Sequence, residues 1–260
     1  ESIEGKKGFP RFKPPFPAVK GLFGSPTIIN NVETLASIPK ILNKGSKWFN
    51  SIGTKDSPGF KCFSVSGHVN KPGNYEVPLG TPFKVLLDLA GGMKDGKKIK
   101  AVIPGGSSVP VVPGDIMMET LMDYESIAKA GSLLGSGAII VMDENTNMVQ
   151  VIHRISRFYY SESCGQCTPC REGTGWMFKI IDKILSGGAN LEDIKTLEAI
   201  PSMISGSTIC ALGDAAAMPV ESFIKYYKNE FLRYINHENT EDRVFNSDIT
   251  SNKEFVLHKK

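Results

Sequence analysis

No apolar run in the 260 residues reaches the roughly 18 needed to cross a bilayer as a helix. The longest patches, such as Gly137-Ala138-Ile139-Ile140-Val141-Met142, are strand-sized, so a direct membrane span is not expected. No block of five or more like charges occurs and the net charge is only +3, which argues against nucleic acid as a partner. The chain opens on Glu1-Ser2-Ile3-Glu4, without an initiator methionine, a basic start or the apolar core of a signal peptide. It reads as the middle of a longer chain. Histidine is scarce: His68, His153, His237 and His258 are scattered and lack metal-ligand spacing. No Ser/His/Asp or Cys/His triad is identifiable. The glycines of Gly131-Ser132-Leu133-Leu134-Gly135-Ser136-Gly137 stand in the wrong order for a dinucleotide fingerprint and precede a strand, so a turn is expected. Gly105-Gly106-Ser107-Ser108 has backbone N–H groups to offer a phosphate but reads as a plain loop. Cysteine is also sparse, five in all, and three of the five fall within seven residues. A secreted disulfide framework spreads its cysteines differently, so a reducing cytoplasm is expected.

What remains is ordinary globular composition, 41% hydrophobic and 22% charged, in a chain long enough for two or three small domains. Residues 1–58 open with the proline-rich Phe9 to Pro17, which is extended or turned. A helix follows from Val32 through Leu42, with Asn30 or Asn31 as N-cap and Glu33 in its first turn. Residues 59–115 read as strand (Phe60–Gly67), hairpin partner (Gly73–Pro78), a helix starting at Pro82 with Phe83, Leu86, Leu87, Leu89 and Ala90 on one face, and a strand (Ile99–Ile103). That order suggests a small β-grasp module. Residues 116–149 read as a connector containing the strand Ala138 to Met142. Residues 150–238 turn helical. Trp176, Met177, Ile180, Ile181, Ile184 and Leu185 share one helix face, Asn190 caps the next helix, and Pro219 starts the last, with Val220, Phe223, Ile224, Tyr227, Phe231 and Tyr234 on one side. Residues 239–260 are a polar tail, expected to be loose. The expected class is α+β.

The chemistry sits in Glu162-Ser163-Cys164-Gly165-Gln166-Cys167-Thr168-Pro169-Cys170-Arg171-Glu172-Gly173. Cysteines at i, i+3 and i+6 let one short loop wrap three corners of a cuboidal [4Fe–4S] cluster, and the fourth iron needs a thiolate from elsewhere. Cys210 is the candidate, because Cys62 lies in a strand of another module and reads as a small buried hydrophobe. Gly165 lets the backbone approach the cluster, and Pro169 is expected to keep the loop from winding into helix before Cys170. Zinc is the weaker reading, since its sites pair two Cys-x-x-Cys units or add histidines.

The flanking residues carry a resemblance. Glu162 through Trp176 resembles the cluster motif of the flavin-bearing, NADH-oxidising F subunit of respiratory complex I. Thr208-Ile209-Cys210-Ala211-Leu212-Gly213-Asp214-Ala215-Ala216 resembles the family's fourth-cysteine segment. Gly24 through Leu35 resembles its flavin-side segment, and Lys13-Pro14-Pro15-Phe16-Pro17-Ala18 a further signature. The match spans nearly the whole chain except the tail. It implies a C-terminal portion of that subunit: the end of an α/β FMN- and NADH-binding domain, a β-grasp (soluble-ligand-binding) domain, and a helical bundle carrying the cluster. In the family NADH reduces FMN, and electrons pass to the [4Fe–4S] cluster and onward towards quinone. The resemblance implies that Asn30, Asn31 and Thr34 hold the FMN phosphate and ribityl end, that Phe16 stacks on the NADH adenine, and that Lys13 approaches its phosphates. It places Ala211 and Leu212 between cluster and flavin.

It further implies partners among the complex I peripheral-arm subunits, the thioredoxin-like [2Fe–2S] subunit and the large iron–sulfur subunit above all. The implied location is the cytoplasmic face of a bacterial inner membrane, or the matrix side in mitochondria. No side chain is expected to act as a catalytic acid or base, since the cofactor accepts the hydride. No Gly-Arg-Gly-Gly-like flavin loop is present. Two other readings stand beside this one. One is the diaphorase subunit of a soluble NAD-linked hydrogenase or formate dehydrogenase, although no cysteine follows Cys210. The other is a non-catalytic iron–sulfur or interaction module.

Overall fold

The computed structural model describes residues 1–236, so the expected tail, with His237 and His258, lies outside the described residues. Two compact units divide the chain, the first Glu1–Glu144 and the second from Asn145 onward.

The first unit opens with an irregular proline-rich stretch and two helices, α1 (Val32–Lys44) and α2 (Ser46–Asn50). Asn31, not Asn30, is the N-cap of α1: its side-chain oxygen accepts from the N–H groups of Glu33 and Thr34. Neither helix has a buried residue, and Ile28, Ile29, Val32 and Leu42 are each more than 75% exposed. The rest of the unit is built on a five-stranded sheet of β1 (Phe60–Gly67), β2 (Gly73–Pro78), β3 (Ile99–Ile103), β4 (Val112–Pro113) and β5 (Ala138–Asp143), in the order β2-β1-β5-β3-β4. β1 and β5 are parallel at the centre, and the flanking pairs are antiparallel. Helix α3 (Phe83–Leu89) presses Phe83, Leu86 and Leu87 into a core with Phe63, Val65, Ile139 and Val141. This is β-grasp topology. It corrects the expected boundary: residues 116–149 are not a connector, because they bring α5 (Tyr124–Lys129), after α4 (Gly114–Met118), and then the central strand β5. A parallel neighbour for β1 needs a long crossover, and its distance in sequence hides the pairing.

Cys62 is exposed, not a buried hydrophobe. Side chains alternate along β1, and Phe63 and Val65 fix the inward parity, so Lys61 is the one that turns in. Lys61 is satisfied by Glu33 of α1, whose carboxylate accepts from its Nζ at 2.9 Å and from the Cys62 N–H at 2.9 Å. The two glycine-bearing stretches lie against each other. A Cβ on Gly105 would stand 2.4 Å from the Leu133 carbonyl oxygen, and one on Gly135 2.2 Å from that of Gly105. Close backbone approach accounts for both.

The second unit is four helices: α6 (Met148–Glu162), α7 (Thr168–Leu185), α8 (Leu191–Ile204) and α9 (Leu212–Ile235). α6 packs on α7 and α9, and α8 on the same two. Met177, Ile181, Ile184 and Leu185 of α7 are buried as expected, but Trp176 is half exposed. Asn190 closes a full capping box with Asp193 at the start of α8. Two expectations about proline fail. Pro169 does not hold the chain out of helix but sits in the first turn of α7, where no N–H is needed. Pro219 does not start α9 but lies inside it. The helix begins seven residues earlier, carried by the Ala215-Ala216-Ala217 run and by Asp214 in its first turn.

Candidate metal centre

Helix α6 ends at Glu162, and Ser163 is its C-cap, with its N–H donating to the Tyr159 carbonyl at 3.1 Å. The chain then turns through Gly165, whose φ of +78° is left-handed, and re-enters helix at Thr168. Three cysteines therefore sit on a helix–loop–helix corner: Cys164 in the loop, Cys167 as N-cap of α7, and Cys170 in its first turn. Arg171 braces the corner, donating from Nη1 to the Gly165 carbonyl at 2.8 Å.

The second strand of the site is the loop between α8 and α9. Its ends are pinned by the Gly206 N–H on the Asp214 carboxylate at 2.8 Å and by the Thr208 hydroxyl on the Cys210 carbonyl at 2.8 Å. Gly213 lets α9 close on this loop, since a Cβ there would stand 2.6 Å from Thr208 Oγ1. The two segments meet directly: the Ile209 N–H donates to Cys167 Sγ at 3.4 Å, 42 positions away in sequence. Burial pushes the Cys170 thiol above its ordinary value, the Ser163 hydroxyl pulls it back, and Cys210, Cys164 and Cys167 each push it up as like charges. The predicted fourth cysteine directly follows Ile209, whose N–H reaches Cys167.

The four thiols come from two segments, at the starts of α7 and α9. Helix N-termini stabilise thiolates. No three His, Cys, Asp or Glu side chains among the described residues converge as one metal ion requires. A four-iron cube takes one thiolate at each corner iron, and four thiols are the donor chemistry such a cluster calls for. His68 and His153 have structural employment: His68 Nδ1 accepts from the Asp143 N–H at 3.1 Å, and His153 Nε2 lies 2.9 Å from Asp182 Oδ1.

Ala211 and Leu212 open α9, immediately after Cys210. The remaining expected residues belong to the first unit. Lys13 and Asn30 both line an open cleft of about 820 Å³, while Phe16, Asn31 and Thr34 do not. Phe16 is 55% exposed, with Lys13 Nζ 6.0 Å from its ring centre. Three contacts escape a reading of the sequence: the Ser163 hydroxyl, the Arg171 brace and the Ile209 N–H. Ser163 and Arg171 stand within the motif, but nothing in the spacing says where their side chains point.

The class that fold and site define is a β-grasp unit joined in one chain to a helical iron–sulfur-binding unit. Comparison with known proteins agrees. A family model described as the NADH-ubiquinone oxidoreductase-F iron-sulfur binding region matches residues 150–234, and one for the SLBB domain matches residues 62–112. The F subunit of NADH-quinone oxidoreductase from Rickettsia bellii (strain OSU 85-389) is 53% identical over 232 residues, covering 88% of this chain and 56% of the relative. That of Mycobacterium tuberculosis (strain CDC 1551 / Oshkosh) is 49% identical over 235 residues, covering 90% and 53%. Among solved structures, an NAD+-reducing [NiFe]-hydrogenase in the H2-reduced state superposes with a TM-score of 0.82 at 34% identity, covering 90% of this chain and 40% of the hydrogenase chain. The chain belongs to the family of NADH-quinone oxidoreductase F subunits. It spans about half the length of the curated relatives it matches.

Proposed function

We propose that the chain serves NADH:quinone oxidoreduction as part of such an F subunit, with Cys164, Cys167, Cys170 and Cys210 holding a [4Fe–4S] cluster that receives electrons from NADH by way of FMN. The observation that carries this is the junction of the two cysteine loops through the Ile209 N–H and Cys167 Sγ. When bound, FMN supplies the change from two-electron to one-electron chemistry, and the cluster supplies a one-electron store. The chain's own part is to hold and orient. The four thiols supply anionic ligands, and the N-termini of α7 and α9 stabilise that charge. Asn31 spends its side-chain oxygen on capping α1, which leaves its amide NH2 and the helix N-terminus to face an FMN phosphate, with Asn30 and Thr34 beside it. Lys13 and Phe16 offer a cation and an exposed aromatic face to NADH phosphates and adenine. Residues 1–58 are in this reading the end of the FMN domain, and their bare apolar side chains are its unpaired face. Ala211 and Leu212 would stand between cluster and flavin. The partners are peripheral-arm subunits, the thioredoxin-like [2Fe–2S] subunit and the large iron–sulfur subunit among them, on the cytoplasmic or matrix side of the membrane. No helix among the described residues is long and apolar enough to cross it.

The test is anaerobic reconstitution with iron and sulfide, followed by iron counting and electron paramagnetic resonance. About four irons per chain with a reducible signal are expected. Cys210→Ala abolishes the signal and Cys62→Ala preserves it; equal loss in both removes Cys210 as fourth ligand, and zinc alone in the purified protein sinks the reading. In a full-length subunit, Phe16→Ala weakens NADH binding in a fluorescence titration. The hydrogenase likeness favours one second reading, a diaphorase subunit, and a quinone-independent NAD-linked activity of the assembled complex would select it.

A further inference from the structure

We infer that the Ser163 hydroxyl is a built-in hydrogen-bond donor to the Cys170 thiolate and raises the reduction potential of the cluster held there. This rests on the function proposed above and adds to it a residue outside the ligand set. Ser163 Oγ lies 3.3 Å from Cys170 Sγ. In the free thiol either atom can donate. A thiolate bound to iron has no proton, so the serine must be the donor. A second contact is consistent with that direction. The Gly165 N–H donates into the same Oγ at 3.3 Å, occupying it as an acceptor and leaving its hydrogen to point at sulfur.

Both ends of the bond are held. Ser163 is fixed as the C-cap of α6 through its own N–H on Tyr159. Cys170 is fixed in the first turn of α7, where its carbonyl accepts from Thr174 Oγ1 at 2.7 Å. Gly165 is held from the other side by Arg171. Cys170 is the one buried cysteine of the four, so the sulfur end of this part-buried bond is shielded from water, which lowers the local dielectric there.

The electrostatic sign follows. Reduction adds one electron to the cluster and makes its sulfurs more negative. A donor aimed at a ligand sulfur stabilises that form more than the oxidised one, so the potential rises. No bond is made or broken at Ser163. Cys167 receives a comparable donor from Ile209, but that is a backbone amide and no side-chain change removes it. Ser163 is therefore a position where a side chain that is not itself a ligand sets the potential.

The experiment is a redox titration of the reconstituted full chain, read by electron paramagnetic resonance, for the wild type, Ser163→Ala and Ser163→Thr. At the wild-type midpoint, Ser163→Ala is expected to hold its iron and lower the reduced-to-oxidised ratio about tenfold, which is about 59 mV for a one-electron couple. Ser163→Thr, which keeps the hydroxyl, restores the wild-type value. An Ala variant with full iron and an unshifted midpoint overturns the inference while leaving the cluster assignment standing. Should the Ala variant lose iron, the Thr variant decides: a bound cluster at the wild-type potential supports the inference, and a bound cluster at a lowered potential overturns it. A wild type that takes up no four-iron cluster defeats the parent reading and this one together, and is recognised by the iron count alone.

Discussion

Gly67 shows how one residue can be required by geometry that its own neighbours do not announce. It ends β1 at a φ of +90°, and a Cβ there would stand 2.1 Å from the Val141 carbonyl oxygen of β5. Both the dihedral and the contact exclude a side chain, and the blocking atom is backbone that cannot move without breaking the central strand pair. Gly67→Ala is expected to destabilise the first unit by more than about 2 kcal/mol, read as a lowered urea midpoint by circular dichroism. At this scale the sequence is legible where chemistry is local. Cysteines at i, i+3 and i+6 point to the proposed metal site without help from the fold. It misleads at Cys62, where the general preference of cysteine for burial competes with the strand's own parity. Phe63 and Val65 are inward at odd positions, so Cys62 has to face out and Lys61 in. That signal is present in the alternation. What is not present is Glu33, 28 residues upstream, which makes a buried lysine tolerable.

Helices and strands are recovered where their limits are written locally and lost where the limit depends on a neighbour. β1, β2 and β3 follow from β-rich runs punctuated by Gly and Pro. The two prolines mislead because a proline's meaning depends on where the helix begins, and other residues set that: the N-cap position of Cys167 for α7, and an alanine run for α9. The start of α8 is different, because its signal is complete in four residues. Asn190 accepts from the N–H groups of Glu192 and Asp193, and Asp193 Oδ2 accepts from the Asn190 N–H at 2.8 Å. Asn190→Ala is expected to cost about 1 kcal/mol. The Lys183 ammonium, and then the Asn190 N–H, hold the Asp193 carboxyl below its ordinary 3.8. A depressed carboxyl pKa stabilises the fold above the unfolded value, and that contribution is lost as pH falls through the folded one. Asp193→Asn should therefore be less stable than wild type at neutral pH, with the gap closing below roughly pH 4. Urea midpoints at the two pH values check it, and a gap that does not change with pH refutes the linkage.

At the scale of the whole chain the informative fact is that each unit owns a core. Phe63, Phe83, Ile139 and Val141 belong to the first, and Ile181, Leu197, Phe223 and Phe231 to the second. All four cysteines proposed to hold the cluster lie in the second, on segments pinned by contacts within it: Gly206 to Asp214, Ile209 to Cys167, Arg171 to Gly165. None of those bonds draws on the sheet. A lesion in the sheet should then leave the metal chemistry in place, and a lesion among the helices should not. Gly67→Ala is the sharp test, since its damage is confined to the β1–β5 pair. After anaerobic reconstitution the variant is expected to lose sheet stability yet retain wild-type iron per chain and an unchanged resonance signal. Gly213→Ala, which drives a Cβ against Thr208 in the fourth-cysteine loop, is expected to do the reverse, lowering iron content while the sheet's urea midpoint holds. Loss of iron in the Gly67 variant would mean that the cluster loops depend on the sheet for their shape, and that the helical unit does not by itself determine where its four thiols stand.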